Sequence, residues 1–218
     1  MGSPIAANLI FAGHEVSVYD VNDAAISALV DKVHIYRHPA TVPDCLTCDG
    51  WLQGAKAASS PRAVAMGADA VLTMLPDDKA LYAVVTHPEN GLLHSLTGVH
   101  ISCSTIHPDT ARDLALLHAS HGSQFVGAPI FARADGVAAR LASFVVSGDD
   151  EAIARVMPIL EANSNGRATS LLAGQTMLAC VLSLDDLLSI SGLSTSEDAG
   201  IDVSHAVIAA NGKRRKTA

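Results

Sequence analysis

From Gly2 to Ala12 the residues are mostly small and apolar, as in a helix, and Gly13 ends the run. "HEVSVYD" then alternates Val16 and Val18 with polar neighbours, the two-residue period of a strand. Asn22 can cap a helix through "DAAISALVDK", and Ser60 before Pro61 starts another through "PRAVAMG". "ADAVLTML" reads as a buried strand closed by Pro76. Asp77 or Asp78 is placed to cap a helix that stops near "HPENG". "GVHISCS" is the next strand, and Pro108 with Asp109 opens a helix through "TARDLALLHASH". "QFV" and "SFVVSG" are further strands, and "DDEAIARVMPILEA" is an amphipathic helix.

Strands alternating with helices across short loops predict an α/β fold, a doubly wound and mainly parallel sheet. Two segments depart from the rhythm. Residues 33–53 hold two prolines, two cysteines and the single Trp with no steady period, and read as an insertion. After Ala162, "NSNGRATS" reads as a polar linker and "LLAGQTMLACVLSLDDLLSIS" as one helix. The closing "GLSTSEDAGIDVSHAVIAANGKRRKTA" offers no clear core face. The expected division is therefore a dinucleotide-binding unit over 1–162 and a short remainder over 163–218, too small for an ordinary second domain.

Composition narrows the function. Of 218 residues 49% are hydrophobic but only 4% aromatic, so the core is built from Ala, Val, Leu and Ile. A net charge of −8 argues against nucleic acid as a partner, because phosphate neutralisation needs a basic face. The basic cluster from Lys213 to Lys216 reads as a solvated tail. No apolar run approaches the roughly 18 residues of a membrane span, and the first residues lack the basic region of a signal peptide. Four cysteines without a regular framework fit a reducing interior, so the expected location is cytoplasmic.

In an open α/β sheet, ligands bind beyond the carboxyl ends of the strands. The residues expected there are Asp20, Leu75-Pro76-Asp77 and Ser104-Thr105. Asp20 lies 18 positions after Gly2 and could accept hydrogen bonds from both ribose hydroxyls of an adenosine, or simply cap the following turn. Gly2, at a helix start, would let a pyrophosphate approach backbone N–H groups. Ser104-Thr105 could equally serve as a cap before Pro108. Elsewhere, His34, His38, Cys45 and Cys48 carry ligand types and pair spacings used by structural zinc, although a chance grouping in an inserted loop is the simpler reading. His118 and His121 read as solvated residues near a helix end. His107 stands beside Ser104-Thr105, where it could titrate near a substrate.

Taken together, "MGSPIAANLIFAGHEVSVYD", "ADAVLTMLPDD", "HISCSTIHP" and "FVGAPIFARADGVAARLASFVVSG" resemble the β-hydroxyacid dehydrogenase family, relatives of 3-hydroxyisobutyrate dehydrogenase and of the cofactor domain of 6-phosphogluconate dehydrogenase. The likeness covers Met1 to Ala162 outside the insertion. Members begin with a strand and Gly-x-Gly-x-Met-Gly, of which Met1 and Gly2 match the last two positions, so the sheet is expected to lack its first strand. Phe131-Ala132-Arg133 replaces the Ser-Gly-Gly of most members.

The resemblance implies a Rossmann-like fold and oxidation of a small β-hydroxy acid, with hydride passing to a nicotinamide. It places Gly2, Asp20, Val21, Asn22, Leu75, Pro76 and Thr105 at the cofactor, and Ser104 with Thr105 at the substrate. NAD or NADP is implied, with NAD preferred, since Val21 and Asn22 after Asp20 offer no Arg for a 2′-phosphate. The family's general acid/base is a Lys four residues before an Asn. Here "LLAGQTML" puts Leu171 at the Lys position and Gln175 at the Asn position, and no Lys occurs between Lys79 and Lys213. An alkyl side chain moves no proton. Three readings follow: an oxidoreductase of small hydroxy acids or imines, a cofactor-binding but inactive relative, and a zinc-stabilised interaction module. The family forms dimers through a helical C-terminal domain, most of which is not found here, so a homodimer is expected only in weakened form.

Overall fold

A computed structural model describes residues 1–35, 54–164, 168–170 and 206–211. The chain opens with helix α1 (Gly2–Phe11), which closes at Gly13, whose positive φ of 88° suits a residue without a Cβ. Strand β1 (Glu15–Asp20) and helix α2 (Asp23–Ile35) follow, and Asn22 Oδ1 accepts the Ala24 N–H at 3.0 Å. Next come β2 (Lys56–Ala57) and the short α3 (Pro61–Ala65), capped by Ser60 Oγ accepting from Ala63 N–H at 3.1 Å. Strand β3 (Ala70–Met74) leads to α4 (Asp78–Thr86). Of the two candidate caps, Asp77 does the work, accepting from Ala80 N–H at 2.7 Å.

A 3-10 turn at Leu92–His94 leads to β4 (Val99–Ser102) and α5 (Pro108–Ser120). The α5 cap is His107, whose Nδ1 accepts from Asp109 N–H at 3.2 Å, rather than Ser104 or Thr105. The remaining elements are β5 (Gln124–Gly127), β6 (Ile130–Phe131), α6 (Ala134–Ala138), β7 (Ser143–Gly148), α7 (Asp150–Ser164), β8 (Ala168–Ser170) and β9 (Ala206–Asn211). The strand order is β2-β1-β9-β3-β4-β5-β7-β6, with β8 beside β7. Strands β1 to β5 share one direction, as expected of a Rossmann-like sheet, and β7 and β9 oppose it.

The doubly wound order 3-2-1-4-5-6 reserves the slot between its second and fourth strands for the strand that precedes the first helix. In this chain β9 fills that slot, antiparallel to both neighbours: Asp20 and Met74 both pair with Ala206, and Val16 and Ala70 both pair with Ala210. The expectation that the closing segment has no core face is thereby corrected. Its "AVIAA" run is short, but alternate residues enter two different cores. Ile208 and Ala210 join the layer formed with α1, α2, α6 and α7, whereas Val207 and Ala209 join the layer formed with α3, α4 and α5.

Three further expectations are corrected. Helix α2 continues through Ile35, into the proposed insertion, and residues 36–53 lie outside the described set. The linker reading of 163–170 fails at both ends: Asn163 and Ser164 are buried in the last turn of α7, and Ala168–Ser170 pairs with β7. Asn8 on α1 accounts for the first of these, donating to Val137 O at 2.6 Å and to Asn163 Oδ1 at 3.1 Å, so three helices are tied by one amide. The helix proposed for 171–191 also lies outside the described residues.

His118 is the third correction. It is 0% exposed, because Ala111, Leu114 and His118 form one face of α5 against the sheet. A polar chain crosses this core from Thr73 Oγ1 to His100 Nε2 (2.9 Å), His100 Nδ1 to His118 Nε2 (2.9 Å), and His118 Nδ1 to Ser123 Oγ (2.8 Å). Two neutral rings can satisfy every bond, for instance with Thr73 donating to His100, His100 to His118, His118 to Ser123, and Ser123 to the His118 carbonyl. Phe125 stacks on His118 and meets His100 edge-on. Burial, and then the neighbouring imidazole, hold His100 well below the usual range. Burial, with a smaller effect of His121, lowers His118 to about 4.

Two outcomes follow. Truncating Ile208 to Ala should cost about 2–5 kcal/mol in denaturant unfolding, as for a large aliphatic core residue; a loss below about 1 kcal/mol would contradict the central placement of β9. Unfolded imidazoles take up protons near pH 6.5, while His118 in the fold resists until about pH 4. Stability should therefore be level above pH 7 and fall as the pH drops from 6.5 towards 5, with a shallower slope in His118→Leu. An equal slope in both proteins would contradict the buried neutral pair.

Candidate functional site

The carboxyl ends of β1, β3 and β4 lie along one edge of the sheet. Asp20 and Met74 flank the same β9 residue, which sets them about 10 Å apart, two strand spacings. Thr73 pairs with Ser102 one strand further on, so the segments beyond them, Leu75-Pro76 and Ser104-Thr105, run side by side. Helix α1 packs on β1 and β9 and runs back against β1, bringing Gly2 towards this edge. Strand β6 pairs with β7 in the same register as β5 and continues its line, so Phe131-Ala132-Arg133 lies past the carboxyl end of β5.

Individual side chains differ in what they offer. Asp20 is half-buried and spends one carboxylate oxygen on the Asn22 N–H at 2.9 Å; its turn-capping role and a role in receiving a hydroxyl are compatible, because a carboxylate accepts at several positions. Val21 is 70% exposed and Asn22 is exposed, so no cation stands beside Asp20 within this turn. Pro76 and Thr105 are exposed. Leu75 and Ser104 are not: Leu75 is 5% exposed with its side chain in the α3–α4–α5 core, and Ser104 is 1% exposed. Of the four residues Leu75, Pro76, Ser104 and Thr105, only Pro76 and Thr105 thus present open surface.

Ser104 has a partner that its sequence position does not reveal. Its Oγ accepts the Leu75 N–H at 2.8 Å, joining the loop after β3 to the loop after β4. Cys103 N–H donates to Thr73 O at 2.9 Å, and His107 N–H donates to Asp78 Oδ1 at 2.9 Å. Three bonds therefore cross-brace the two loops. Cys103, between them, is buried, and burial pushes its thiol up to about 12, which leaves it protonated and unreactive. His107 is exposed, and its ring is taken up with capping α5.

Several expected positions are not described. Leu171, Gln175, His38, Cys45 and Cys48 lie outside the described residues, as does the side chain of His34. Among the described residues no group of three or more His, Cys, Asp or Glu could hold a metal ion, and no helix is long and apolar enough to cross a membrane.

Comparison with known proteins is consistent with this geometry. Residues 1–180 match the family model for the NAD binding domain of 6-phosphogluconate dehydrogenase. An uncharacterised oxidoreductase of Bacillus subtilis is 36% identical over 166 residues, 75% of this chain and 50% of that protein. The 3-hydroxyisobutyrate dehydrogenase of Pseudomonas aeruginosa is 35% identical over 163 residues, 74% of this chain and 47% of that protein. A solved Mycobacterium tuberculosis 3-hydroxyisobutyrate dehydrogenase with L-serine superposes with a TM-score of 0.66 at 29% identity, covering 89% of this chain and 64% of that one. The chain spans about half the length of the two curated relatives named here.

Proposed function

The chain belongs to the β-hydroxyacid dehydrogenase family through its NAD-binding domain, and from that membership we propose that it binds a nicotinamide dinucleotide along the carboxyl edge of its sheet. The observation that carries the proposal is the register that sets Asp20, Pro76 and Thr105 on that one edge. In this reading Gly2 lies beside the pyrophosphate at the start of α1, and the free oxygen of Asp20 accepts from the adenosine ribose. Val21 and Asn22 border the ribose without a positive charge, which favours NAD over NADP. Leu75 holds its backbone in place from the core while Pro76 forms the exposed wall, and Thr105 faces the nicotinamide.

The relatives named 3-hydroxyisobutyrate dehydrogenase suggest a small hydroxy acid as the substrate class. Bound nicotinamide would supply the hydride acceptor. What this chain would contribute is orientation: Thr105 beside the ring, and a cleft wall that keeps the two reactants aligned. The hydroxyl proton must also leave, and no Lys occurs between Lys79 and Lys213 to take it. That absence favours a second reading, in which the chain holds the cofactor without turning over the hydroxy acid. The reading further takes residues 1–162 together with β9 as the cofactor-holding unit, and it carries a cytoplasmic location.

Titration of the purified protein with NADH, followed by nicotinamide fluorescence, should give a saturable change, and Asp20→Ala should weaken it by about 10–100-fold, the loss of one or two hydrogen bonds to a charged group. The same variant should narrow the preference for NADH over NADPH. No saturable change at millimolar NADH would contradict cofactor binding, and tighter binding of NADPH by the native protein would contradict the role given to Asp20. Binding without turnover over a panel of β-hydroxy acids would select the second reading.

A further inference from the structure

We propose that Ser104 is a positioning residue that locks the two loops of the cofactor cleft into one rigid wall, rather than a group that meets the substrate. The inference rests on the cofactor reading above and goes beyond it in assigning the residue an action through Leu75. Ser104 is 1% exposed, and its Oγ accepts the Leu75 N–H at 2.8 Å. A side chain so enclosed presents no face to a substrate arriving at the open edge. The backbone amide it holds belongs to the residue before Pro76. Proline has no N–H of its own with which to fasten the loop.

The tether therefore acts where the loop after β3 leaves the sheet. Beyond Met74 the regular pairing of β3 ends, and Leu75 N–H takes a side chain in place of a neighbouring strand's carbonyl. On the other side of Ser104, Cys103 N–H continues the ladder to Thr73 O at 2.9 Å. Further out, Asp78 Oδ1 accepts the His107 N–H at 2.9 Å. Pro76 and Thr105, both exposed, thus lie between two cross-braces. Their separation is set before any ligand arrives, so binding need not order them.

Three variants test this with NADH as the probe. Ser104→Ala leaves the Leu75 N–H buried without its acceptor and should lower the melting midpoint by roughly 2–4 °C. It should also raise the Kd for NADH about ten-fold, the equivalent of one lost hydrogen bond. Ser123→Ala removes a buried hydroxyl from His118 at the opposite edge of the sheet. It should melt lower by a similar amount and bind NADH like the native protein, which separates positioning from general destabilisation. Asp78→Ala removes the outer brace at a partly exposed position and should raise the Kd about three-fold.

If Ser104→Ala folds and binds NADH as the native protein does, the inference is overturned while the cofactor reading stands. If Ser104→Ala does not fold, unchanged affinity in Asp78→Ala overturns it and a raised Kd supports it. An equal loss of affinity in Ser123→Ala would assign the effect to stability alone and overturn the positioning role. If the native protein shows no saturable NADH signal, the cofactor reading falls and this inference falls with it.

Discussion

The sheet depends on the pairing of β9 with β1 on one side and β3 on the other. Those two strands carry apolar residues to both helical layers, and their inner edges present rows of backbone N–H and C=O groups that must be satisfied. Strand β9 satisfies both rows over Ala206 to Ala210 and adds Ile208 and Ala210 to one core and Val207 and Ala209 to the other. Its insertion joins the β2-β1 pair to β3-β4-β5, so the edge on which Asp20, Pro76 and Thr105 stand is continuous only because this strand lies between them. An antiparallel strand meets the backbone requirement as well as a parallel one. It differs in that its amino end, at Ala206, lies on the cleft side.

Much of this architecture was legible in local patterns. Alternation at Val16 and Val18, the buried "AVLTM" run, and the Ser60-Pro61 and Asp77 signals each depend on residues within a few positions of one another, and each lies where expected. The place of β9 is a different kind of fact. Five apolar residues between polar ones could serve many purposes, and only the two open edges of β1 and β3, nearly 200 and more than 130 positions away, give them one. Nothing local encodes a pairing of that range.

The same distinction applies to side chains. The spacing of Ala111, Leu114 and His118 on one face of α5 could have identified His118 as buried, since the interval is helical and its neighbours are apolar. His100 was the harder case, because a histidine in a buried strand is tolerable only with partners, here Thr73 and His118, that lie on other elements. Ser104 belongs with it: its place beyond a strand end is a local signal, but its bond to Leu75 exists only once β3 and β4 are neighbours. Asp20, by contrast, ends a strand, and both its turn and its place at the sheet edge follow from that.

The account reduces to a cleft edge assembled from β1, β9, β3 and β4 and shaped for a nicotinamide dinucleotide. Amide hydrogen exchange with and without NADH tests it most directly. The account predicts slow exchange throughout Val207 to Ala210 in the free protein, and added protection on NADH binding confined to the segments around Asp20, Leu75 to Asp78 and Ser104 to His107. Fast exchange in β9, or NADH protection that falls elsewhere on the sheet, would contradict it.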